Sequence, residues 1–337
     1  MSTDTVAELE AGMEDFRQRF EQFMAGIHCA IVGHDELITD VLVAMFSQGH
    51  VLLEGVPGIG KTYLVRVIAR VLNLTFGRIQ CTPDLMPADI LGTHIVGEDA
   101  EGRRVFRFEK GPVFHNLLLV DEINRATPKT QAALLEVMQE HCVTAGGEVF
   151  PVDEPFFVLA TQNPIEMEGT YPLPEAQLDR FFFKTRVPFP SKSDLVEISR
   201  RTTGFREPEL DVVMTGDELV GFQQMLTHVP IADPLTEYAA SLVLATHPDS
   251  QDTLPEVRRY VAYGASPRGL QALVRGARAH CVLAGRTAVS VEDIHRVAAP
   301  ALRHRIILNF EGEAESLEAD QLIADLLDHV PTPAGEG

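Results

Sequence analysis

The chain has 337 residues, with 28 Lys and Arg against 49 Asp and Glu, a formal net charge of −21. Apolar residues make up 45% and charged residues 23%, enough to fill a core and a composition that argues against general disorder. Such acidity weighs against nonspecific nucleic-acid binding, which needs concentrated Lys and Arg, and against docking on an anionic membrane surface.

About two domains are expected at this length. No apolar run approaches the roughly 20 residues of a membrane span. Met1–Phe16 carries five acids and no Lys or Arg, the opposite of a secretory leader, so a cytoplasmic setting is expected. An acidic helix is predicted over Val6–Ala25, with Leu9, Met13, Phe16, Phe20 and Phe23 at helical spacing. It fills a first segment, residues 1–30.

Short apolar stretches then alternate with helical patterns over residues 31–189. His50–Glu54, Phe76–Cys81, Asn116–Val120, Phe156–Thr161 and Phe183–Pro188 read as buried strands, and Lys61–Leu72 and Pro128–Cys142 as helices. Continuous apolar strands alternating with helices predict an α/β fold, a parallel sheet covered on both faces. Two stretches interrupt this rhythm. Thr82–Val113 holds a short helix signal, Asp84–Leu91, and then Arg103–Phe108, which alternates like a hairpin strand. Thr144–Pro155 carries Gly146-Gly147 between strand-like flanks, the mark of a β-hairpin. Projecting hairpins on a packed sheet often carry function.

From about Pro190 the strand signal disappears. Ser193–Arg201, Asp217–Leu226, Pro234–His247, Pro267–Leu283 and Ser290–His304 are predicted helical, with Ser290 as an N-cap ahead of Glu292 and Asp293. An all-helical second domain over residues 190–337 is expected, ending in an amphipathic helix marked by Leu317, Leu322, Ile323, Leu326 and Leu327. Cys29, Cys81, Cys142 and Cys281 are widely spaced, and the 12 His form no metal-ligand motif, so free thiols are expected.

The chemistry gathers at strand ends. Gly55-Val56-Pro57-Gly58-Ile59-Gly60-Lys61-Thr62 fits the phosphate-binding pattern Gly-x4-Gly-Lys-Thr between a strand and a helix. Backbone N–H groups and the helix N-terminus suit phosphate oxygens there. Lys61 would reach the β- and γ-phosphates of ATP, and Thr62 would ligate Mg²⁺. Leu117–Val120 ends in Asp121 and Glu122, placed for the Mg²⁺ shell and for activating water, or alternatively as a solvated acidic turn. A third strand ends in Gln162-Asn163-Pro164, whose amide can orient a water without adding charge or can serve only the turn.

These motifs, followed by Leu178-Asp179-Arg180-Phe181 and Ser266-Pro267-Arg268, resemble the AAA+ ATPases. Asp121-Glu122-Ile123-Asn124-Arg125-Ala126, Ala160-Thr161-Gln162-Asn163-Pro164 and Gly264-Ala265-Ser266-Pro267-Arg268 are similar to the MoxR family in particular, over about Ile31 to Val330. The resemblance implies an ATPase core, residues 31–189, with a helical lid behind it. It implies that Asn163 is sensor 1, Arg268 sensor 2, and Arg180 the finger offered to a neighbouring subunit's γ-phosphate. An arginine fork spreading transition-state charge is worth about 10³–10⁵ in rate. Salt-bridging is the plain alternative for Arg180.

Val32, Gly33 and His34 match the family's adenine pocket, with Gly55, Pro57, Gly58, Ile59, Gly60, Lys61, Thr62 and Tyr63 completing the nucleotide set. His34 stands where MoxR-like chains usually carry Gln. Thr82–Val113 matches an insertion whose loops face a central pore, where Phe106 and Phe108 could meet a client or pack on the sheet. The helical stretch between Pro188 and Pro267 matches an insertion that repositions the lid, which leaves open whether Arg268 serves its own nucleotide or a neighbour's.

The resemblance thus implies a Mg²⁺-dependent ATPase in a homo-oligomeric ring, a hexamer, with a chaperone-like action on a protein client such as a von Willebrand factor A domain protein. A nucleotide-switched scaffold with little turnover is the alternative from another class, and a DNA helicase or loader a third. The charge is concentrated at the ends. Met1–Phe16 and Asn309–Gly337 hold five and eight acids and no Lys or Arg, so they contribute −13 and leave −8 for the body. A further expectation is that these ends form a docking face for a basic partner; packing of the last helix on the lid is the plainer one.

Overall fold

A computed structural model describes residues 3–56, 60–98, 103–163, 169–203 and 208–333. In chain order the first elements are α1 (Thr3–Ala30), α2 (Asp35–Phe46), β1 (Val51–Glu54), α3 (Lys61–Val71) and β2 (Phe76–Gln80). The first interruption contributes α4 (Pro87–Leu91) and the hairpin β3 (Gly92–Glu98) and β4 (Arg104–Lys110). Then come β5 (Leu117–Asp121), α5 (Pro128–Glu140), the hairpin β6 (Cys142–Ala145) and β7 (Glu148–Pro151), β8 (Phe157–Gln162), α6 (Glu175–Leu178) and β9 (Phe183–Arg186). The remainder is α7 (Lys192–Thr202), α8 (Gly216–Thr227), α9 (Asp233–Ala245), α10 (Pro255–Tyr260), β10 (Val261–Tyr263), α11 (Pro267–Leu283), α12 (Val291–Leu302), β11 (Ile307–Leu308), α13 (Phe310–Ala314) and α14 (Ala319–His329).

The five predicted strands form one sheet in the order β2-β5-β8-β1-β9, with every pairing parallel. Residues on both faces of β5 are buried, and its Leu117 and Leu119 join one core cluster while Leu118 and Val120 join another. Two-sided burial is why the central strands β1, β5 and β8 read as apolar runs. In α3 the periodicity is helical: Leu64, Val65, Ile68 and Val71 are buried while Arg66 and Arg70 face out. That helix ends where Asn73 turns into the left-handed region, at φ 49°.

The N-terminal helix is part of the core. Phe16, Phe20, Phe23 and Ile27 are buried, and the Phe16 ring meets Phe46 of α2 edge-on at 4.7 Å and Phe222 of α8 at 5.2 Å. Its apolar stripe therefore ties the sheet layer to the helical half, and its exposed side carries the acids Glu8, Glu10, Glu14, Asp15 and Glu21. The helix also runs on to Ala30, five residues beyond the predicted end.

The second half is helical but not wholly so. β10 and β11 pair antiparallel, which corrects the expectation that strands end at Pro190. Strands of three and two residues are too short to show a period of two, and Val261 lies 47 positions before its partner Leu308 (308 − 261). The predicted helix Ser290–His304 stops at Leu302. Its capping carboxylate, Asp293, is buried: it accepts from the Ser290 backbone N–H at 2.8 Å and also pairs with His280 and Arg286.

In α14, Leu322, Ile323 and Leu326 are buried in the core, so the acidic C-terminal helix packs on the helical half. Its acids are partly matched. Arg186 and Arg303 pair with Glu318 and Asp320, and Arg259 pairs with Glu311 and Glu315.

The two hairpins stack against each other. Phe108 lies flat on Phe150 of β7 with ring centroids 4.2 Å apart, and a Cβ on Gly146 would press within 2.7 Å of His94. Phe106, two residues further out, is 80% exposed. The pair of phenylalanines thus separates into one packed and one solvent-facing ring.

Candidate functional site

Ligands of parallel α/β sheets bind beyond the carboxyl ends of the strands, and Lys61, Thr62, Asp121, Glu122 and Asn163 of the predicted residues gather there. A cavity of about 410 Å³ is lined by Gly60, Lys61, Thr62 and Tyr63 from the start of α3, Asp121 and Glu122 from the end of β5, and Asn163 after β8. Arg78 and Gln80 of β2 and Thr161 of β8 complete the wall. Gly60 adopts φ 85°, a left-handed turn that a side chain would strain, and so aims the first turn of α3 at the cavity. Pro57, Gly58 and Ile59 lie outside the described residues.

Lys61 is half buried, and its Nζ donates to the Gly55 carbonyl at 2.7 Å. Burial pushes its pKa down, while the nearby Asp121 and Glu122 carboxylates push it back up. An ammonium facing two carboxylates across a polar cavity is what a polyphosphate with a cation requires of its surroundings.

Glu122 sits at φ 56° and ψ 52°, a left-handed backbone that is uncommon for a side chain with a Cβ. Such a conformation costs on the order of 1–2 kcal/mol and concentrates at functional sites. The turn is pinned by the Glu122 N–H donating to Thr161 Oγ1 at 2.9 Å. The Glu122 carboxylate accepts from Gln80 Nε2 at 3.0 Å and from Arg125 Nη1 at 3.2 Å. Asp121 accepts from Arg78 Nε at 2.8 Å. Asn163 is buried at the end of β8.

A second, apolar cavity of about 420 Å³ adjoins the first through Gly60, Lys61 and Tyr63. Its walls include Ile31, Val32, His34, Phe189, Leu195 and Ile198. Gly33 bends the chain at φ 68°, where a Cβ would meet the Asp194 carboxylate at 3.2 Å. His34 follows at φ 63° as the N-cap residue of α2, with its side chain at the cavity. A flat apolar base fits the second cavity and a phosphate chain the first. Lys61, the Thr62 hydroxyl and the Asp121 carboxylate supply the cation and hard oxygen donors that Mg·ATP needs, so the residues present fit that group.

Arg180 and Arg268 lie elsewhere. Among the described residues they line a cavity between the sheet layer and α11, with His50, His141, Asp179, Arg275 and Arg305. Arg180 Nη1 donates to the Leu135 carbonyl of α5 at 2.8 Å rather than to Asp179. Asp179 is instead the centre of a cluster. It accepts from Ser266 Oγ at 2.7 and 2.9 Å and from Arg305 Nε at 2.9 Å, with Arg268 Nη1 at 3.8 Å. The buried Arg305 also donates to the carbonyls of Asp179, Phe181 and Phe182. One side chain thus joins the end of α12 to the segment that carries Arg180.

Sequence reasoning missed Arg78, Gln80, Asp179 and Arg305. For Arg78 and Gln80 a signal was present: polar residues alternate with buried Gly77 and Ile79 on a strand next to the acidic one. Asp179 and Arg305 lie 126 residues apart and become partners only in the fold.

Residues 50–183 match the family described as "ATPase family associated with various cellular activities (AAA)", and residues 256–326 match the AAA lid domain. The chain is 45% identical to the chaperone MoxR1 of Mycobacterium tuberculosis over 303 residues, 90% of this chain and 79% of that protein. It is 33% identical to the protein MoxR of Methylorubrum extorquens, covering 96% of this chain and 98% of the other. A crystal structure from Cytophaga hutchinsonii, described as a candidate ATPase, superposes with a TM-score of 0.91 at 39% identity, over 98% of this chain and 99% of that one.

Proposed function

Because the chain belongs to the MoxR family of AAA+ ATPases, we propose that it binds Mg·ATP and hydrolyses it in a homo-oligomeric ring, a hexamer, to remodel or mature a protein client. One observation supports this reading above others. Lys61, Asp121, Glu122 and Asn163 surround one cavity, while Arg180 and Arg268 surround another. A chain that carries both halves in separate places completes a site only when copies adjoin.

In the proposed mechanism Ile31, Val32, Gly33 and His34 hold the adenine edge and Lys61 meets the β- and γ-phosphates. Thr62 and Asp121 would hold Mg²⁺, which when bound would neutralise phosphate charge. Glu122 orients and polarises the attacking water from its strained turn, and Asn163 fixes that water without adding charge. Arg180 and Arg268 of the adjacent copy meet the charge that builds on the transferred phosphoryl oxygens. The common cavity of these two arginines supports a trans role for both. The exposed Phe106 is the proposed contact for a client, which the family resemblance suggests is a von Willebrand factor A domain protein. The proposed setting is the cytoplasm; among the described residues no helix is long and apolar enough to cross a membrane.

Glu122→Gln tests the chemistry. General-base loss is worth about 10²–10⁴ in rate, so steady-state phosphate release should fall by at least about 100-fold while nucleotide binding persists. Turnover equal to wild type would remove Glu122 from the mechanism.

A further inference from the structure

Arg78 occupies β2 beside the acidic strand, where Gln80 is in register with Asp121. Its Nε donates to Asp121 Oδ2 at 2.8 Å, and its Nη2 donates to Gln80 Oε1 at 2.9 Å. Gln80 passes the connection on, since its Nε2 donates to Glu122 Oε2 at 3.0 Å. A single guanidinium thereby spans both carboxylates, directly at Asp121 and through an amide at Glu122. The Asp121 side chain is 11% exposed and that of Arg78 47%, with Arg78 lining the same cavity as Lys61 and Thr62.

A planar guanidinium is suited to fixing two acceptors at once, which an ammonium is not. The pairing also has a consequence for cation binding. A divalent cation held by Asp121 would draw on the carboxylate that Arg78 already neutralises, and two positive groups sharing one anion oppose each other. We propose that Arg78 is a positioning residue that shares Asp121 with the divalent cation, setting how strongly nucleotide binding depends on Mg²⁺ while Gln80 holds Glu122 in line. The proposal rests on reading this cavity as the Mg·nucleotide site.

The sign of the coupling is fixed by the charges. With Arg78 removed, Mg²⁺ loses its hydrogen-bonded competitor at Asp121, so less Mg²⁺ is needed for half-saturation. Without Mg²⁺, the unpaired Asp121 carboxylate faces the phosphates, and nucleotide binds more weakly. Both changes widen the gap between binding with Mg²⁺ and binding in EDTA. Because the effect is a coupling between two sites of charge, it is reciprocal.

The test titrates the full-length chain with a fluorescent, non-hydrolysable ATP analogue, in Mg²⁺ and in EDTA, so that binding is read without turnover. In Arg78→Met the ratio of the two dissociation constants should rise roughly fivefold over wild type, and rising salt should shrink the difference because the guanidinium is half exposed. Arg78→Lys, which restores the charge, should return the ratio most of the way. Should Arg78→Met fail to fold by circular dichroism, Arg78→Gln carries the same expectation. A ratio within about twofold of wild type in the neutral variant, or a smaller one, overturns the proposal for Arg78. Failure of the underlying reading looks different: wild type would bind no analogue, or Lys61→Ala would bind it as tightly.

Discussion

Two residues show how burial decides what a side chain can do. His50, just before β1, is fully buried; the Val158 N–H donates to its Nδ1 at 3.1 Å, leaving Nε2 to donate to the Met138 carbonyl at 3.0 Å. Both nitrogens are committed in the neutral ring, and protonating Nδ1 would break the bond to Val158. Burial accordingly pushes its pKa down to about 4, with nearby His141 and Arg275 acting in the same direction and the Met138 carbonyl and Glu154 opposing. His304, buried beside Arg305, is likewise held well below the usual range.

A group whose folded pKa lies below its unfolded one binds more protons when unfolded. Its stabilisation is full above about pH 6.5 and is lost as pH falls toward 4. Denaturant unfolding should therefore show stability falling across that window, by up to about 3 kcal/mol for His50. His50→Gln should have a shallower slope there, and an unchanged slope would contradict the assignment. His141 works in the other direction. Its bond to Glu154 raises its pKa, so its contribution is full below about pH 6.5 and lost only as pH rises through the raised value.

Among elements, the lid and the segment carrying Arg180 behave as one connected part. The Asp179 carboxylate holds Ser266 at the start of α11 and Arg305 beyond α12, and Arg305 in turn holds three carbonyls of the Asp179–Phe182 segment. Removing one partner of a buried pair strands the other's charge. Asp179→Ala should therefore cost about 3 kcal/mol or more in denaturant unfolding. Arg268→Ala, whose side chain is 43% exposed, should cost well under 1 kcal/mol in the same assay. Equal losses would show that Asp179 is not the centre of this cluster.

The central strands β1, β5 and β8 were legible because they are buried on both faces, so apolar composition alone marks them, whereas the edge strand β2 alternates buried and exposed residues. Glu122 and Lys61 were legible as neighbours in one cavity because their motifs sit at the carboxyl ends of β5 and β1. Asp179 was visible only as the residue before Arg180, and nothing local links it to Arg305. The β10–β11 pair was hidden for the same reason. Phe106 and Phe108 show a third limit: both alternate correctly, but packing on Phe150 of the second hairpin and on Phe114 half-buries only Phe108.

At the scale of the whole molecule, the charge and the sites are arranged separately. The ends of the chain contribute −13 of the −21, and among the described residues acids such as Glu8, Glu10, Glu14 and Asp15 lie along the outer face of α1 while others lie around α13 and α14, where several meet arginines. Lys61 and Arg78 line one cavity and Arg180, Arg268, Arg275 and Arg305 line another, and one chain does not join the two. That separation carries the proposal of a ring, and mixing variants tests it. Glu122→Gln lacks the base but keeps its arginines; Arg180→Ala keeps the base but offers no finger. Each alone should be nearly inactive. Mixed in equal amounts and reassembled, they should regain about a quarter of wild-type turnover, the chance that an intact Glu122 meets a neighbour's intact Arg180. Turnover that stays at the level of the separate variants at every mixing ratio would contradict a shared site.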